Sequence, residues 1–185
     1  IGFVRGIHPF AAEVERAARA FIASGVEPGD RVAIWAPNCL EWAVAALGLH
    51  AAGAVLVPLN TRFKGNEAAF IIGKARARML FTVTDFLDTD YVALLAGVEG
   101  LDSLEETVVL RGAVADGTTA WNDFLARADQ VSAADAAALE WALRLADAPR
   151  IQTMPDPRRH RLKAVLGITA SVAIAALALY VLYQT

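Results

Sequence analysis

Residues 25–63 read GVEPGDRVAIWAPNCLEWAVAALGLHAAGAVLVPLNTRF, and this stretch carries the clearest secondary-structure signals of the sequence. A turn signal at 28–30, Pro-Gly-Asp, precedes a short run at 31–35 that is largely apolar and partly β-branched. Buried strands have this composition, and Pro37 with Asn38 supplies a stop immediately after it. The start of the stretch therefore predicts a buried β-strand.

The second half of the same stretch predicts a crossover helix and a second strand. Asn38 and Glu41 have the spacing of a capping box, the run at 40–52 is rich in Leu, Trp, Val and Ala, and Gly53 can end the helix. Residues 54–59 are again apolar. Two strands joined by a helix must be parallel with a right-handed crossover, so the stretch predicts a β-α-β unit.

The same signals extend the prediction along the chain. Residues 1–10 give no clear signal, and 85–90 reads as a turn. The predicted fold class is α/β, a parallel sheet with flanking helices. Further strands are predicted at 79–83 and 107–110, and helices at 11–24, 66–77 with Asn66 as its cap, 91–95, 121–128 and 132–147.

The motifs GDRVAI, PNCLEW, AGAV and PLNTRF, in this order, resemble the N-terminal subdomain of AMP-forming acyl-CoA synthetases. These adenylate-forming ligases act on fatty acids and related carboxylic acids. The resemblance continues through KGNEAAF and RMLFTVTDFLDTDYVALL, covering residues 12–95 well and extending loosely to 148. It implies a partial ligase subdomain over 1–148. For the family it implies ATP-dependent conversion of an acid to acyl-AMP and then to an acyl-CoA thioester.

These motifs form the scaffold of the family, and the motifs that carry its chemistry are absent from the sequence. The resemblance implies a Ser/Thr/Gly-rich phosphate loop ending in Pro-Lys, an aromatic and acidic motif for adenine and magnesium, and a late lysine. Gly-Thr-Thr at 117–119 imitates part of the phosphate loop, but Ala120 and Trp121 follow it, and we predict a surface turn there. No catalytic, cofactor-binding or metal residue is therefore assigned, and ATP, magnesium and CoA stay implied for the family alone.

Cysteine and histidine provide no second site. Cys39 is the only cysteine, which excludes an intrachain disulfide, and we interpret it as a small apolar residue in the first turn of a helix rather than as a nucleophile. His8, His50 and His160 are far apart and lack the spacing of metal ligands.

Two cations remain as candidate ligand contacts. Arg62 and Lys64 follow the second strand, at the carboxyl edge of the predicted sheet, where ligands of such folds bind. The alternative is that they form a solvated rim. Residues 1–157 carry all 20 acids against 13 of the 17 Lys and Arg, and this acidic balance argues against nucleic acid as a partner.

The C-terminal third changes character. Residues 149–163 form a Pro-containing linker and a basic neck, and 164–183 are 20 residues without a charge. As a helix this run is about 30 Å long, enough to span a bilayer core. We predict a single-pass membrane protein with a cytoplasmic N-terminal body, because basic residues flanking a span stay cytoplasmic. The cations of the neck are Arg158, Arg159, Arg161 and Lys163.

Three readings of the whole chain are open at this stage. The first is a fragment of an acyl-CoA ligase, inactive alone, whose partner is the missing remainder of the ligase. The second is a membrane-tethered binding or assembly module, which could dimerise through small residues at Gly167, Ser171 and Ala175. The third is a fusion of a ligase fragment with a signal-anchor segment that begins near Met154.

Overall fold

The computed structural model describes residues 2–132 and 134–136, with side chains described from Pro9 onward. Among these residues no helix is both long enough and apolar enough to cross a membrane. The predicted linker, the basic neck with Arg158, Arg159, Arg161 and Lys163, and the predicted span at 164–183 lie outside the described residues.

Within the described residues, five parallel strands form one sheet in the order β2-β1-β3-β4-β5. The strands are β1 (Arg31–Trp35), β2 (Val55–Pro58), β3 (Met79–Val83), β4 (Glu106–Arg111) and β5 (Thr119–Ala120). The helices are α1 (Gly2–Ala23), α2 (Leu40–Ala51), α3 (Gly65–Ala75), α4 (Tyr91–Leu95) and α5 (Trp121–Ala126), followed by a 3-10 turn at Arg127–Gln130.

The β-α-β unit is confirmed. β1 and β2 pair in parallel, with Arg31 opposite Val55 and Ile34 opposite Pro58, and α2 connects them. The connection from β1 to β2 runs in the opposite direction to the connection from β2 to β3. Since both crossovers are right-handed, α2 and α3 cover opposite faces of the sheet.

The predicted helix caps were wrong in two places. α2 has Cys39 as its N-cap, without a side-chain capping bond, so Asn38 is not the cap. The N-cap of α3 is Lys64 rather than Asn66, so the helix begins two residues earlier than predicted, at Gly65. The Glu67 carboxylate accepts a hydrogen bond from the Lys64 backbone N–H at 2.8 Å, and this bond stabilises the first turn without a Ser, Thr or Asn cap.

Two other predictions required correction at element boundaries. α1 begins at Gly2, so His8 lies in a helix rather than in a loop, and Pro9 lies within that helix. The predicted helix at 121–128 is α5 followed by the 3-10 turn, and the short strand β5 at Thr119–Ala120 was missed. Two residues are too few to show a strand periodicity in the sequence.

An aromatic cluster joins the helices of one face to the sheet. Phe21 of α1 lies 5.1 Å from Phe81 of β3 and 4.9 Å from Phe124 of α5, measured between ring centroids, and all three side chains are fully buried. The Phe21–Phe124 pair is edge to face and the Phe21–Phe81 pair is tilted, and aromatic pairs of this kind contribute about 0.5–1.5 kcal/mol each beyond burial. α1 is thereby fixed over the middle of the sheet.

The free side of β2 is poorly suited to further pairing. The N–H groups of Val55 and Leu59 donate to the carbonyls of Asp30 and Ile34, on the side of β1, at 2.7 and 2.9 Å. The backbone groups of the alternate residues Leu56 and Pro58 therefore point away from β1. Proline has no N–H to donate there. A four-residue strand that ends in proline is one of the ways in which proteins protect a sheet edge.

At the amino edge of the sheet, one guanidinium group joins three loops. Arg78 donates to the Gly25 carbonyl at 2.6 Å, to the Asp30 carboxylate at 2.7 Å and to the Glu105 carboxylate at 2.7 Å. Burial alone would raise the pKa of Asp30, but the Glu27 backbone N–H and Arg78 together hold it below its ordinary value. Arg78 therefore fixes the loops that precede β1, β3 and β4.

Replacing Arg78 with Met should destabilise the fold by about 1–3 kcal/mol, because hydrogen bonds to charged groups are lost and the Gly25 carbonyl loses its partner. Chemical denaturation of the full chain measures the change. Part of the loss is acid-dependent: Asp30 stabilises the fold above its unfolded pKa, and this stabilisation disappears as the pH falls through its lowered folded pKa. Arg62→Met, at an exposed arginine without an ion pair among the described residues, is the control, and equal losses in both variants would contradict the assignment.

Candidate functional site at the carboxyl edge of the sheet

The order of the strands defines one switch point at the carboxyl edge of the sheet. The chain leaves β1 towards β2 on one side and leaves β3 towards β4 on the other, although β1 and β3 are neighbours. Ligands of open parallel sheets bind outside the carboxyl ends of the strands at such a switch point. The loops that follow β1, β2, β3 and β4 therefore define the candidate site.

Two buried aromatic side chains hold the loop that follows β2. The Trp35 indole N–H donates to the Asn60 carbonyl and the Tyr91 hydroxyl donates to the Thr61 carbonyl, each at 3.0 Å. The two rings lie 4.6 Å apart, edge to face, and both are almost completely buried. Asn60 also accepts the Arg62 backbone N–H at 2.9 Å through its side-chain oxygen. This loop is therefore fixed from beneath at two consecutive carbonyl groups.

Arg62 and Lys64, the two cations predicted at this edge, lie on the loop that Trp35 and Tyr91 hold. Both side chains are exposed, and within residues 9–132 neither forms an ion pair or a side-chain hydrogen bond. The structure thus places them together at the carboxyl edge, as predicted, on a loop of defined geometry. Their role as ligand contacts stays a prediction.

A charged cluster lies closer to the switch point. The Arg111 guanidinium at the end of β4 contacts the Asp85 carboxylate after β3 at 3.0 Å, and this bond raises the pKa of Arg111. The same guanidinium interacts electrostatically with Cys39 and Glu41 at the start of α2. Residues from three separate loops therefore converge here, and nothing in the spacing of the sequence indicated that Arg111 would join them.

Cys39 is poorly suited to nucleophilic chemistry. Burial, with the neighbouring Glu41 carboxylate, raises the pKa of its thiol to about 11, against the smaller opposing effects of the Trp42 backbone N–H and Arg111. Only a thiolate attacks or binds metal efficiently. The interpretation of Cys39 as a small residue in the first turn agrees with this environment.

The cluster does not fit the triphosphate or the magnesium ion that the family implies. Its one guanidinium is already paired with Asp85, and Glu41 adds a second carboxylate beside it, so a phosphate would meet net negative charge. In the part of the chain that the structure describes, no group of three or more His, Cys, Asp or Glu side chains could hold a metal ion. His50 is exposed on α2, and His160 lies outside the described residues.

The Gly-Thr-Thr run at 117–119, which imitates part of a phosphate loop, lies at a turn and at the start of β5. Thr119 begins β5, and its hydroxyl donates to the Glu106 carboxylate, which also binds Arg127 at 2.6 Å. Burial would raise the pKa of Glu106, but Arg127 and Thr119 lower it. Thr119 therefore supports the ion pair between Glu106 and Arg127 at the amino end of β4. This end of the sheet lies opposite the candidate site.

An open parallel sheet with helices on both faces defines an α/β scaffold of the kind that binds ligands at its carboxyl edge. Residues 8–160 match the family model described as AMP-binding enzyme, and the chain belongs to that family.

Two relatives share this part of the chain. A ligase from Mycobacterium tuberculosis, 3-[(3aS,4S,7aS)-7a-methyl-1,5-dioxo-octahydro-1H-inden-4-yl]propanoyl:CoA ligase, is 47% identical over 110 residues, which are 60% of this chain and 21% of that protein. A ligase of the same description from Rhodococcus jostii is 41% identical over 123 residues, covering 64% of this chain and 24% of that protein. The chain thus spans about a fifth to a quarter of the length of these relatives.

A solved structure shows the same fold. The crystal structure of the anthranilate CoA ligase AuaEII in complex with anthranoyl-AMP superimposes with a TM-score of 0.57 and 27% identity. The match covers 63% of this chain and 22% of that one. The predicted resemblance to acyl-CoA ligases and the predicted parallel α/β fold are therefore confirmed.

The environment of Cys39 predicts a steep pH dependence of alkylation. With a pKa of about 11, about one thiol in 10,000 is ionised at pH 7, so the iodoacetamide rate should rise about tenfold per pH unit from 7 to 10. Glu41→Gln should shift the profile to lower pH by removing a neighbouring negative charge. The urea-unfolded chain is the control, and the midpoint of its rate profile should lie at about pH 8.5. A plateau below pH 9 in the folded chain would contradict the assignment.

Proposed function

We propose that this chain forms the N-terminal subdomain of an ATP-dependent carboxylic acid:CoA ligase and does not catalyse adenylation by itself. The observation that carries the proposal is the family match over 8–160, together with 47% identity to a CoA ligase over 110 residues. In this proposal the subdomain is a scaffold, and the groups that bind the ATP phosphates come from polypeptide beyond these 185 residues.

The electrostatics of the described residues support the second half of the proposal. Stabilising charge that develops on a transferring adenylyl group needs cations and backbone donors already in place. At the switch point Arg111 is paired with Asp85, while Arg62 and Lys64 lie on the neighbouring loop. Two exposed side chains without a phosphate-binding loop are too few to hold a triphosphate in a reactive geometry.

The substrate class we propose is a carboxylic acid with a largely apolar body, either a fatty acid or a ring-bearing acid. The support is the names of the proteins that this chain resembles: two act on a fused-ring propanoyl acid, and the solved structure contains anthranoyl-AMP.

A second function is favoured by one feature of the sequence. Residues 164–183 carry no charge and follow Arg158, Arg159, Arg161 and Lys163. We propose that they anchor the chain in a membrane with the body on the cytoplasmic side. The anchor is compatible with a scaffold of a membrane-bound ligase and equally with a tethered binding module that self-associates.

ATP-pyrophosphate exchange tests the catalytic half of the proposal. The full chain, assayed with a panel of fatty and ring-bearing acids, should give exchange no faster than the background without acid, because the phosphate loop is absent from its sequence. The intact M. tuberculosis relative, with its indane-type acid, serves as the positive control. Acid-dependent exchange by this chain alone would overturn the assignment as a non-catalytic scaffold.

Protease treatment of sealed vesicles tests the orientation. With the cytoplasmic face outermost, the body at 1–148 should be digested, because the positive residues precede the predicted span. Vesicles of the opposite orientation should protect it until detergent opens them. Protection in cytoplasmic-side-out vesicles would reverse the topology, and full solubility of the chain without membranes would exclude the anchor.

A further inference from the structure

The outer face of α3 carries an exposed aromatic side chain between two opposite charges. Phe70 is 66% exposed and is the only aromatic residue among the large hydrophobic side chains that are exposed within residues 9–132 and 134–136. Glu67 precedes it by three residues and Lys74 follows it by four, so the three side chains share one face of the helix. Glu67 and Lys74 are exposed, and neither forms an ion pair among the described residues. An acid, a ring and a cation therefore follow one another along this face.

A groove lies beside this face, between α3 and the segment at 97–102 that follows α4. The backbone of that segment rests directly on the helix, because a Cβ added at Gly73 would collide with the Gly100 carbonyl oxygen. Phe70 borders the groove on the side of the helix, and Val98 borders it on the other side. An exposed ring and a groove with apolar walls thus lie next to each other on one surface.

The two sides of the groove carry opposite net charge. The run at 64–76, which is α3 with its two caps, has three exposed cations against one carboxylate, Glu67. The facing segment at 97–102 has two exposed carboxylates, Glu99 and Asp102, and no cation. A surface with this arrangement attracts a second copy of itself, because the cationic helix of one copy is complementary to the acidic segment of the other. The three cations are Lys64, Lys74 and Arg76.

We propose that two copies of this chain associate through this surface, with the Phe70 ring of each copy in the groove of the other. A ring and a groove that adjoin on one surface satisfy each other across a two-fold axis, where both copies use the same residues. The inference goes beyond the proposed function and does not rest on it.

The spacing along α3 defines which charges meet in this pair. With Phe70 of each copy at the level of the two-fold axis, the two helices run antiparallel. Glu67 lies about 4.5 Å from Phe70 along the helix, and Lys74 lies about 6 Å from it in the opposite direction. Lys74 of each copy therefore faces Glu67 of the other, which gives two equivalent ion pairs. One pair of helices is smaller than a standard protein interface, so we expect weak association that depends on concentration.

Charge reversal tests the pairing in the full 185-residue chain. Two differently tagged copies are co-expressed and solubilised in detergent, one is captured, and the other is quantified. Glu67→Lys with itself, and Lys74→Glu with itself, should each reduce capture about tenfold, because like charges then meet at two positions. Glu67→Lys co-expressed with Lys74→Glu should restore capture to the parental level, since both contacts again join opposite charges.

The aromatic contact is tested in the same assay. Phe70→Ser should reduce capture about tenfold, because the apolar contact at the axis is lost. Val55→Ser, at an exposed apolar residue of the edge strand β2, is the matched control and should leave capture unchanged. Urea denaturation checks that each variant is folded. Glu67→Lys also removes the carboxylate that accepts the Lys64 backbone N–H, so the comparison of Phe70→Ser with Val55→Ser decides if that variant unfolds.

Three results would overturn the inference. The first is a parent chain that captures no second copy. The second is equal capture in all four charge combinations, which is the result that association through the predicted span at 164–183 would give. The third is an equal loss of capture in Phe70→Ser and Val55→Ser, which would show that the exposed face of α3 has no special part in the association.

Discussion

Gly48 allows α2 to pack in close contact with α1, and this contact sets the spacing of the two helices. A Cβ added at Gly48 of α2 would lie 2.6 Å from the Ala17 Cβ of α1, so only glycine allows the helices to approach this closely. α2 is the crossover of the β-α-β unit, and its position on α1 places Phe21 against Phe81 and Phe124. A side chain at Gly48 would push α1 and α2 apart, with a cost typical of overpacked cores, about 1–3 kcal/mol.

The two edges of the sheet are built differently. At the amino edge, guanidinium groups bind carbonyls and carboxylates: Arg78 joins three loops, Arg31 donates to the Ala75 and Arg76 carbonyls at the end of α3, and Arg127 binds Glu106. These contacts bind three guanidinium groups at this edge, although Arg76 stays exposed without an ion pair in the described part of the chain. At the carboxyl edge, by contrast, Arg62 and Lys64 stay without partners among the described residues and apolar side chains face solvent. The two edges therefore differ in how far their cations are bound by the rest of the protein.

The strands and the crossover could be predicted because each rests on a local signal. Met79–Val83 is apolar except for Thr82, and the predicted strand at 79–83 coincides with β3. The cap of α3 was not predicted correctly because it depends on the Glu67 carboxylate, which accepts a hydrogen bond from the Lys64 backbone N–H. A lysine at the N-cap is not a capping signal in a sequence. The cluster of Arg111, Asp85 and Glu41 could not be predicted, since its members are joined only by the order of the strands.

The position of Trp35 and Tyr91 links the core to the candidate site. Each ring is buried, and each directs its single polar hydrogen to a carbonyl of the surface loop after β2. A buried donor without a partner costs about 1–3 kcal/mol, so the core itself favours one conformation of that loop. Arg62 and Lys64 thus lie on a loop that the interior of the protein holds at two carbonyl groups. The exposed side chains of Asn60 and Glu67 complete the loop, because they accept the backbone N–H groups of Arg62 and Lys64.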